Sequence, residues 1–248
     1  MAGAGLEGKV VLVAGAGSGI GRAAAIRLAR EGAALILVGR RREALAETQA
    51  LLPGADVTLH PADASDPEAV DELARVTLAA RGRLDVLVNT AGVNVPKRSL
   101  ADAAVEDYDR VLDINLRSVF LLSRAFLPAM RAQGGGTLIH VGSDSALRGN
   151  NFAGVAYIAS KFGLRGIIEA INAEERQNGI RATAIHPGEV NTPLLDKRPV
   201  PPPPEARARM LQPEDVAECI ALAALLPPRA VVEEMVVRPL AQDWVSRR

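Results

Sequence analysis

Short aliphatic and β-branched runs alternate along the chain with longer stretches whose apolar positions recur at helical spacing. The runs at 9–13, 34–39, 56–60, 86–89, 137–142, 180–186 and 234–237 read as seven strands. Segments 19–30, 66–80, 103–130 (as two helices), 156–177 and 213–225 read as helices between them. This alternation of strand-like runs with helical stretches implies a parallel sheet covered on both faces by helical layers. Gly32 and Gly179 stand where a left-handed helix stop is wanted. Right-handed crossovers then wind the sheet outward in two directions from its centre and leave a crevice at the carboxyl ends of the strands, where ligands bind.

One stretch breaks the alternation. Residues 188–207 contain Pro199 and the run Pro201 to Pro204, which continue neither a helix nor a central strand. An exposed extended loop is expected there, acting as a substrate loop or lid; a proline-rich ligand for another protein's groove is the weaker reading.

Composition narrows the class. With 248 residues, 48% of them hydrophobic, residues 1–248 suffice for a single well-cored domain; a chain of this size buries roughly 70–75% of its unfolded surface. The 29 basic and 29 acidic residues balance, which argues against nucleic acid and anionic membranes as partners. Cys219 is alone, so no internal disulfide forms, and it reads as a buried helix residue. No Cys/His group has zinc spacing, so no metal is expected; His60, His140 and His186 read as packed or hydrogen-bonded side chains. Glu169, Glu174 and Glu175 read as a solvated helix face. The start of the chain lacks a basic segment followed by an apolar one, and no apolar run approaches the ~20 residues a bilayer requires, so a cytoplasmic location is expected.

The first strand runs straight into Ala14-Gly15-Ala16-Gly17-Ser18-Gly19-Ile20-Gly21 and then a helix. Glycines let backbone approach a pyrophosphate, the helix start offers free N–H groups and positive dipole character, and Ser18 adds a hydroxyl donor. The common G-x-G-x-x-G spacing fails because Ile20 takes the place of the third glycine; Gly15-x-x-x-Gly19-x-Gly21 fits instead. Strand two ends at Gly39 and continues Arg40-Arg41-Arg42, with no acid before Glu43. A carboxylate there would favour NAD, whereas the guanidinium groups of Arg40 and Arg41 suit the ribose 2′-phosphate of NADP(H). NADP(H) is therefore the expected cofactor and NAD(H) the lesser one.

Tyr157 and Lys161 lie four apart at the start of the helix after strand five and share one face. A phenol is a poor proton donor or acceptor near neutrality, but a neighbouring ammonium stabilises phenolate. Ser143 lies just past strand five, where a hydroxyl can hold a substrate oxygen against Tyr157; Ser145 is the alternative. Asn115 sits mid-helix, a poor place for asparagine on propensity alone, where its amide could anchor a water beside Lys161.

Taken in order, these motifs resemble the short-chain dehydrogenase/reductase family, from Gly8 to about Gln242. Asp63, followed by Ala64, matches the family's adenine-contacting acid. Asn89-Thr90-Ala91-Gly92 resembles its Asn-Asn-Ala-Gly element, and His186-Pro187-Gly188 with Val190 and Thr192 its nicotinamide-carboxamide segment. Asn115, Ser143, Tyr157 and Lys161 match its catalytic tetrad. The resemblance implies an α/β fold, a Rossmann-type doubly wound seven-stranded parallel sheet flanked by helices on both faces. It implies an oxidoreductase moving a hydride between nicotinamide and a small carbonyl or secondary alcohol. Tyr157 would be the general acid/base, Lys161 would lower its pKa and bind the ribose, Ser143 would orient substrate, and Asn115 would support a water relay. A homo-oligomer, dimer or tetramer, built partly on the helices carrying Asn115 and Tyr157 is also implied, with Trp244 at a subunit contact. Three positions depart from the family pattern: Ala14 for a frequent Thr, Thr90 for the second Asn, and Gly142-Ser143 for a Ser-Ser pair. Residues 212–242 resemble the branch containing NADP-dependent 3-hydroxy acid and serine-type dehydrogenases. The substrate pocket is expected from 93–100, 147–156 and 188–207, with Lys97, Arg98 and Arg148 as its orienting charges. The rival reading is a catalytically idle NAD(P)-binding sensor that kept the fold.

Overall fold

The computed structural model describes residues 5–150 and 152–240; Gln242 and Trp244 lie outside them. Seven strands, β1 (Val10–Ala14), β2 (Ala34–Gly39), β3 (Val57–Pro61), β4 (Val86–Asn89), β5 (Gly136–Val141), β6 (Ile180–Pro187) and β7 (Glu234–Val237), form one sheet in the order β3-β2-β1-β4-β5-β6-β7. Every pairing is parallel. The α-helices among the described residues are α1 (Gly19–Ala29), α2 (Arg42–Ala50), α3 (Pro67–Arg81), α4 (Val105–Leu112), α5 (Ser118–Ala132), α6 (Val155–Glu175), α7 (Pro204–Arg207) and α8 (Pro213–Leu225).

Alternate side chains of β1, β2, β4, β5 and β6 feed two cores, while the edge strands β3 and β7 are only partly buried. Val11 and Val13 of β1 join Ala24, Leu28, Val216 and Ile220 on the face covered by α1 and α8. Val10, Leu12 and Ala14 join Leu73, Leu122, Phe126 and Ile168 on the face covered by α3, α5 and α6. Both faces of these five strands are covered, which is why aliphatic residues dominate them. Helix boundaries follow local chemistry. Asp66 caps α3 by accepting from the Glu68 and Ala69 amides, Pro67 begins the helix, and Gly82 ends it at φ +71°. Gly32 (φ +85°) and Gly179 (φ +71°) are left-handed stops, as expected.

The structure corrects four expectations. Helix α2 was not anticipated: it starts in the basic run and buries only Ala44, Leu45 and Thr48, too narrow a stripe for periodicity to reveal. Residues 188–207 are not simply an exposed loop. Pro193–Lys197 form a 3-10 turn, Pro204 begins α7 at the position where a proline has no needed N–H to lose, Leu195, Pro202 and Ala206 are buried, and Val190 pairs with Leu211. Glu175 is buried, not on a solvated face, and ion-pairs with Arg131 while accepting from Asn178. Cys219 is half-buried on α8. The stretch 103–130 resolves into α4 and α5 joined without a break by a π-helical turn, Asp113–Arg117, which holds Asn115. No helix among the described residues is long and apolar enough to cross a membrane, and none of their His, Cys, Asp and Glu side chains group as a metal site.

Candidate active site

A cleft of about 1200 Å³ opens at the carboxyl ends of the central strands, and the glycine turn, Arg40, Asp63, Ser143, Tyr157 and Lys161 all line it. At one end the turn after β1 needs its glycines. Gly15 and Gly19 have φ of +83° and +51°, and a Cβ on Gly21 would stand 2.2 Å from the Gly15 carbonyl oxygen. Thr90 pins the turn from beside it: its hydroxyl donates to the Ala14 carbonyl at 2.8 Å and fills the space a Cβ on Gly15 would need. Arg22 donates to the Gly17 carbonyl at 2.7 Å. Ser18 caps the start of α1 without its side chain bonding back to the helix, and it lines the cleft.

Beyond this turn Arg40 and Arg41 are exposed at the cleft, with Arg41 at the cap of α2. Partial burial pushes the Asp63 carboxyl upward, but hydrogen bonds from the Ser65 amide (2.9 Å) and hydroxyl (2.6 Å), together with the charge of Arg40, bring it below the usual range. Ile20, Ala64, Ala91, Gly92, Pro187, Gly188, Val190 and Thr192 also line the cleft.

Asn89 and Asn115 are not in the lining. Asn89, buried at the end of β4, accepts from the Ala91 amide at 3.0 Å and donates to Ser118 at 3.2 Å, shaping the turn from beneath. Asn115 clasps Val93, accepting from its N–H at 2.8 Å and donating to its carbonyl at 3.0 Å, and donates to Ser160 at 3.2 Å. The π turn spends its extra residue on aiming this amide at the 92–93 backbone, a use such turns serve at functional sites.

At the other end the Tyr157 ring lies under Lys161, whose Nζ is 5.6 Å from its centroid. The Lys161 ammonium is buried, donates to the Val141 carbonyl at 3.0 Å, and is brought down by burial to about 8. Burial raises the Tyr157 phenol; a hydrogen bond with the Ser143 hydroxyl and the charges of Arg198 and Arg98 pull the other way, and burial prevails. The two serines differ in company. Ser143 meets Tyr157, whereas the Ser145 hydroxyl accepts from Asn150 at 3.0 Å.

His140 and His186 are packed and hydrogen-bonded as the sequence reading has them, and Arg98 and Arg148 line the cleft as expected; what sequence reasoning missed is the company these residues keep, in two sets. The first is the support behind Ser143: the fully buried His186 ring, through Nδ1, bonds the Ser143 carbonyl at 3.1 Å and packs where a Cβ on Gly142 would lie. His140, pushed down to about 3 by burial, is neutral and bonds Ser123 at 3.1 Å. The second set is the charge around the substrate end. Arg198 pairs with Glu189 at 2.7 Å and lies 5.7 Å from the Phe152 ring centroid, and Arg238 bonds Asp144 at 3.3 Å. Arg98 donates to the carbonyls of Phe152 (3.3 Å) and Lys197 (3.2 Å), and its buried Nε has no partner among the described residues. Arg198 and Arg238 were not foreseen, because only the fold brings them to the cleft, and Lys97, expected beside Arg98 and Arg148, is not in its lining.

Comparison with known proteins agrees with this geometry. The family model described as short chain dehydrogenase matches residues 9–200. An "uncharacterized oxidoreductase" of Staphylococcus aureus (strain USA300) is 33% identical over 235 residues, covering 95% of this chain and 99% of that protein. A metagenomic short-chain oxidoreductase solved with NADP superposes with a TM-score of 0.82 at 33% identity, covering 96% of this chain and 99% of that one. The 3-ketoacyl-(acyl-carrier-protein) reductase of Brucella melitensis, solved with NADH, does so with a TM-score of 0.86 at 29% identity, covering 95% and 98%.

Proposed function

The chain belongs to the short-chain dehydrogenase/reductase family of oxidoreductases, and from that premise we propose that it is an NADP(H)-dependent enzyme interconverting a carbonyl compound and its secondary alcohol. The observation that carries the reading is the placement of the Tyr157 phenol against the Ser143 hydroxyl and beneath the Lys161 ammonium, inside the same cleft as the glycine turn.

The residues present fit a dinucleotide. The positive-φ glycines and the start of α1 offer backbone donors to a pyrophosphate, Arg40 and Arg41 stand ready for a 2′-phosphate, and Asp63 is an ionised acceptor for an adenine amino group. Gly188, Val190 and Thr192 line the nicotinamide end with Ala91 and Gly92. When bound, the nicotinamide supplies or takes the hydride. In the reducing direction the Tyr157 hydroxyl donates its proton to the carbonyl oxygen as negative charge develops there. The Ser143 hydroxyl holds the same oxygen, and Lys161 stabilises the phenolate left behind. Asn115 keeps the Val93 backbone, and with it Gly92, in register beside Lys161.

Residues 188–207 would form the substrate loop of a single-domain, cytoplasmic homo-oligomer, dimer or tetramer. The exposed Phe120 of α5 and Phe162 of α6 support association through the helices that carry the site.

The test is cofactor oxidation across neutral ketones and aldehydes with NADPH and NADH in parallel. Turnover favouring NADPH is expected, with a loss of about 10²- to 10⁴-fold in Tyr157→Phe and little change in NADPH affinity. An Arg40→Ala/Arg41→Ala double variant should lose NADPH affinity far more than NADH affinity. NADPH binding without turnover of any carbonyl would leave the chain a cofactor sensor.

A further inference from the structure

Helix α2 buries Ala44, Leu45 and Thr48, and two of these, Ala44 and Thr48, stand one helical turn apart and face the glycine turn after β1. A Cβ on Gly17 would lie 3.0 Å from the Ala44 Cβ, so helix and turn meet closely there. One helical turn further on, the fully buried Thr48 hydroxyl donates to the Ala16 carbonyl at 2.8 Å. A threonine inside a helix ordinarily returns its hydroxyl to the carbonyl four residues back. Here that carbonyl, of Ala44, is the more distant acceptor at 3.1 Å, and the shorter bond leaves the helix for the glycine turn. The same hydroxyl accepts from Arg22 Nε at 3.0 Å. Arg22, on α1, directs its Nη2 to the Gly17 carbonyl at 2.7 Å and to Glu47 of α2 at 2.8 Å. On its other side the turn is fixed to β2, because the Gly15 and Ala16 amides both donate to the Val38 carbonyl. Leu45 seats α2 on the end of that strand, where a Cβ on Gly39 would come within 3.3 Å of it.

Helix α2 starts at Arg42, with Arg41 at its cap and Arg40 just before it. Whatever fixes α2 against the glycine turn therefore also fixes the distance from the amides that suit a pyrophosphate to the guanidiniums that suit a 2′-phosphate. We propose that Thr48, joined to Arg22, is a positioning residue for cofactor choice: it holds α2 at the separation that lets one dinucleotide engage the glycine turn and Arg40 and Arg41 together. The proposal rests on the NADP(H) reading above. Thr48 has no exposed surface, so it acts through the Ala16 backbone and through Arg22, not by touching the ligand. A ligand that spans both places gains from having them preorganised, whereas one that engages the glycine turn alone is nearly indifferent to where α2 lies.

The experiment measures dissociation constants for NADP+ and NAD+ by calorimetric titration of the whole protein, in the parent and in three variants. Thr48→Val keeps the shape and removes the hydroxyl, Thr48→Ser restores the hydroxyl, and Arg22→Lys keeps the charge but loses the forked bridge. The parent is expected to bind NADP+ more tightly than NAD+. In Thr48→Val the affinity for NADP+ should fall by about tenfold and that for NAD+ by less than about threefold. Arg22→Lys should shift the ratio in the same sense, and Thr48→Ser should stay near the parent. A ratio unchanged in Thr48→Val and Arg22→Lys overturns the proposal while the NADP(H) reading stands. So does an equal loss for both dinucleotides, the result a hydroxyl serving only the shape of the turn would give. If Thr48→Val does not fold, the ratio in Arg22→Lys decides. A parent that binds both dinucleotides alike, or neither, removes the NADP(H) reading itself, and the proposal falls with it.

Discussion

The Lys161 ammonium stands 5.6 Å from the centroid of the Tyr157 ring. The two groups are shifted by the same cause in opposite senses, since burial disfavours charge on both: it lowers the lysine to about 8 and raises the tyrosine. Reduction needs a protonated phenol and a charged ammonium. The phenol stays protonated across the neutral and mildly alkaline range, so the lysine is the group that fails first.

The kcat/KM for reduction of a neutral ketone is therefore expected to be level on the acid side and to fall as pH rises through about 8, the value to which burial brings Lys161. A pH profile with saturating NADPH checks this. A flat profile through pH 9 to 10, on the scale set by the ordinary lysine value of 10.5, would show that Lys161 is not held down in the working enzyme.

Much of this was legible in the sequence, for identifiable reasons. Strands buried on both faces announce themselves as aliphatic runs, so the bounds of β2 and β4 match the expected segments; those of β7 match too, although that edge strand is only partly buried. Helix α2 escaped because its buried stripe is three residues wide. At the site, Tyr157 and Lys161 could be paired because helical spacing is a local rule. Ser143 could not be separated from Ser145, because that depends on which hydroxyl reaches Tyr157 across the cleft. The place of Arg198 and the contact of His186 with Ser143 depend likewise on segments far apart in the chain. Two departures from the family pattern become intelligible only in three dimensions. Thr90 takes the Ala14 carbonyl and packs on Gly15 and Gly21, and Gly142 makes room for His186.

A charge held where water is scarce should cost stability. Between pH 8 and the ordinary value of 10.5, the unfolded chain carries the Lys161 proton more readily than the native one, so native stability from this group rises with pH across that window; below about 8 the penalty is fully present. Lys161→Met is thus expected to abolish turnover and to stabilise the cofactor-free protein at pH 7 by about 1–2 kcal/mol, after about 1 kcal/mol is lost with the Val141 hydrogen bond. Denaturant unfolding at neutral pH and near pH 9.5 checks it, the gain shrinking at the higher value. A variant less stable than its parent at neutral pH contradicts the account.

The fit between Gly142 and His186 makes the sharpest packing prediction. A Cβ at position 142 would lie 2.5 Å from His186 Nδ1 and 2.9 Å from its Cε1, closer than real side chains approach. The ring cannot yield cheaply, because it is fully buried and its Nδ1 bonds the Ser143 carbonyl at 3.1 Å. Gly142→Ala should therefore cost about 1–3 kcal/mol and, by displacing Ser143 from Tyr157, lower kcat more than it raises KM. His186→Ala removes the obstacle, at the cost of a cavity and of a free Ser143 carbonyl. If the steric conflict is the cause, the two substitutions are not additive: the double variant should be about 1–2 kcal/mol more stable than the sum of the singles predicts. Denaturant unfolding of the four proteins closes the cycle. Strict additivity would mean that Gly142 is required for its backbone and not for the space it leaves to the histidine.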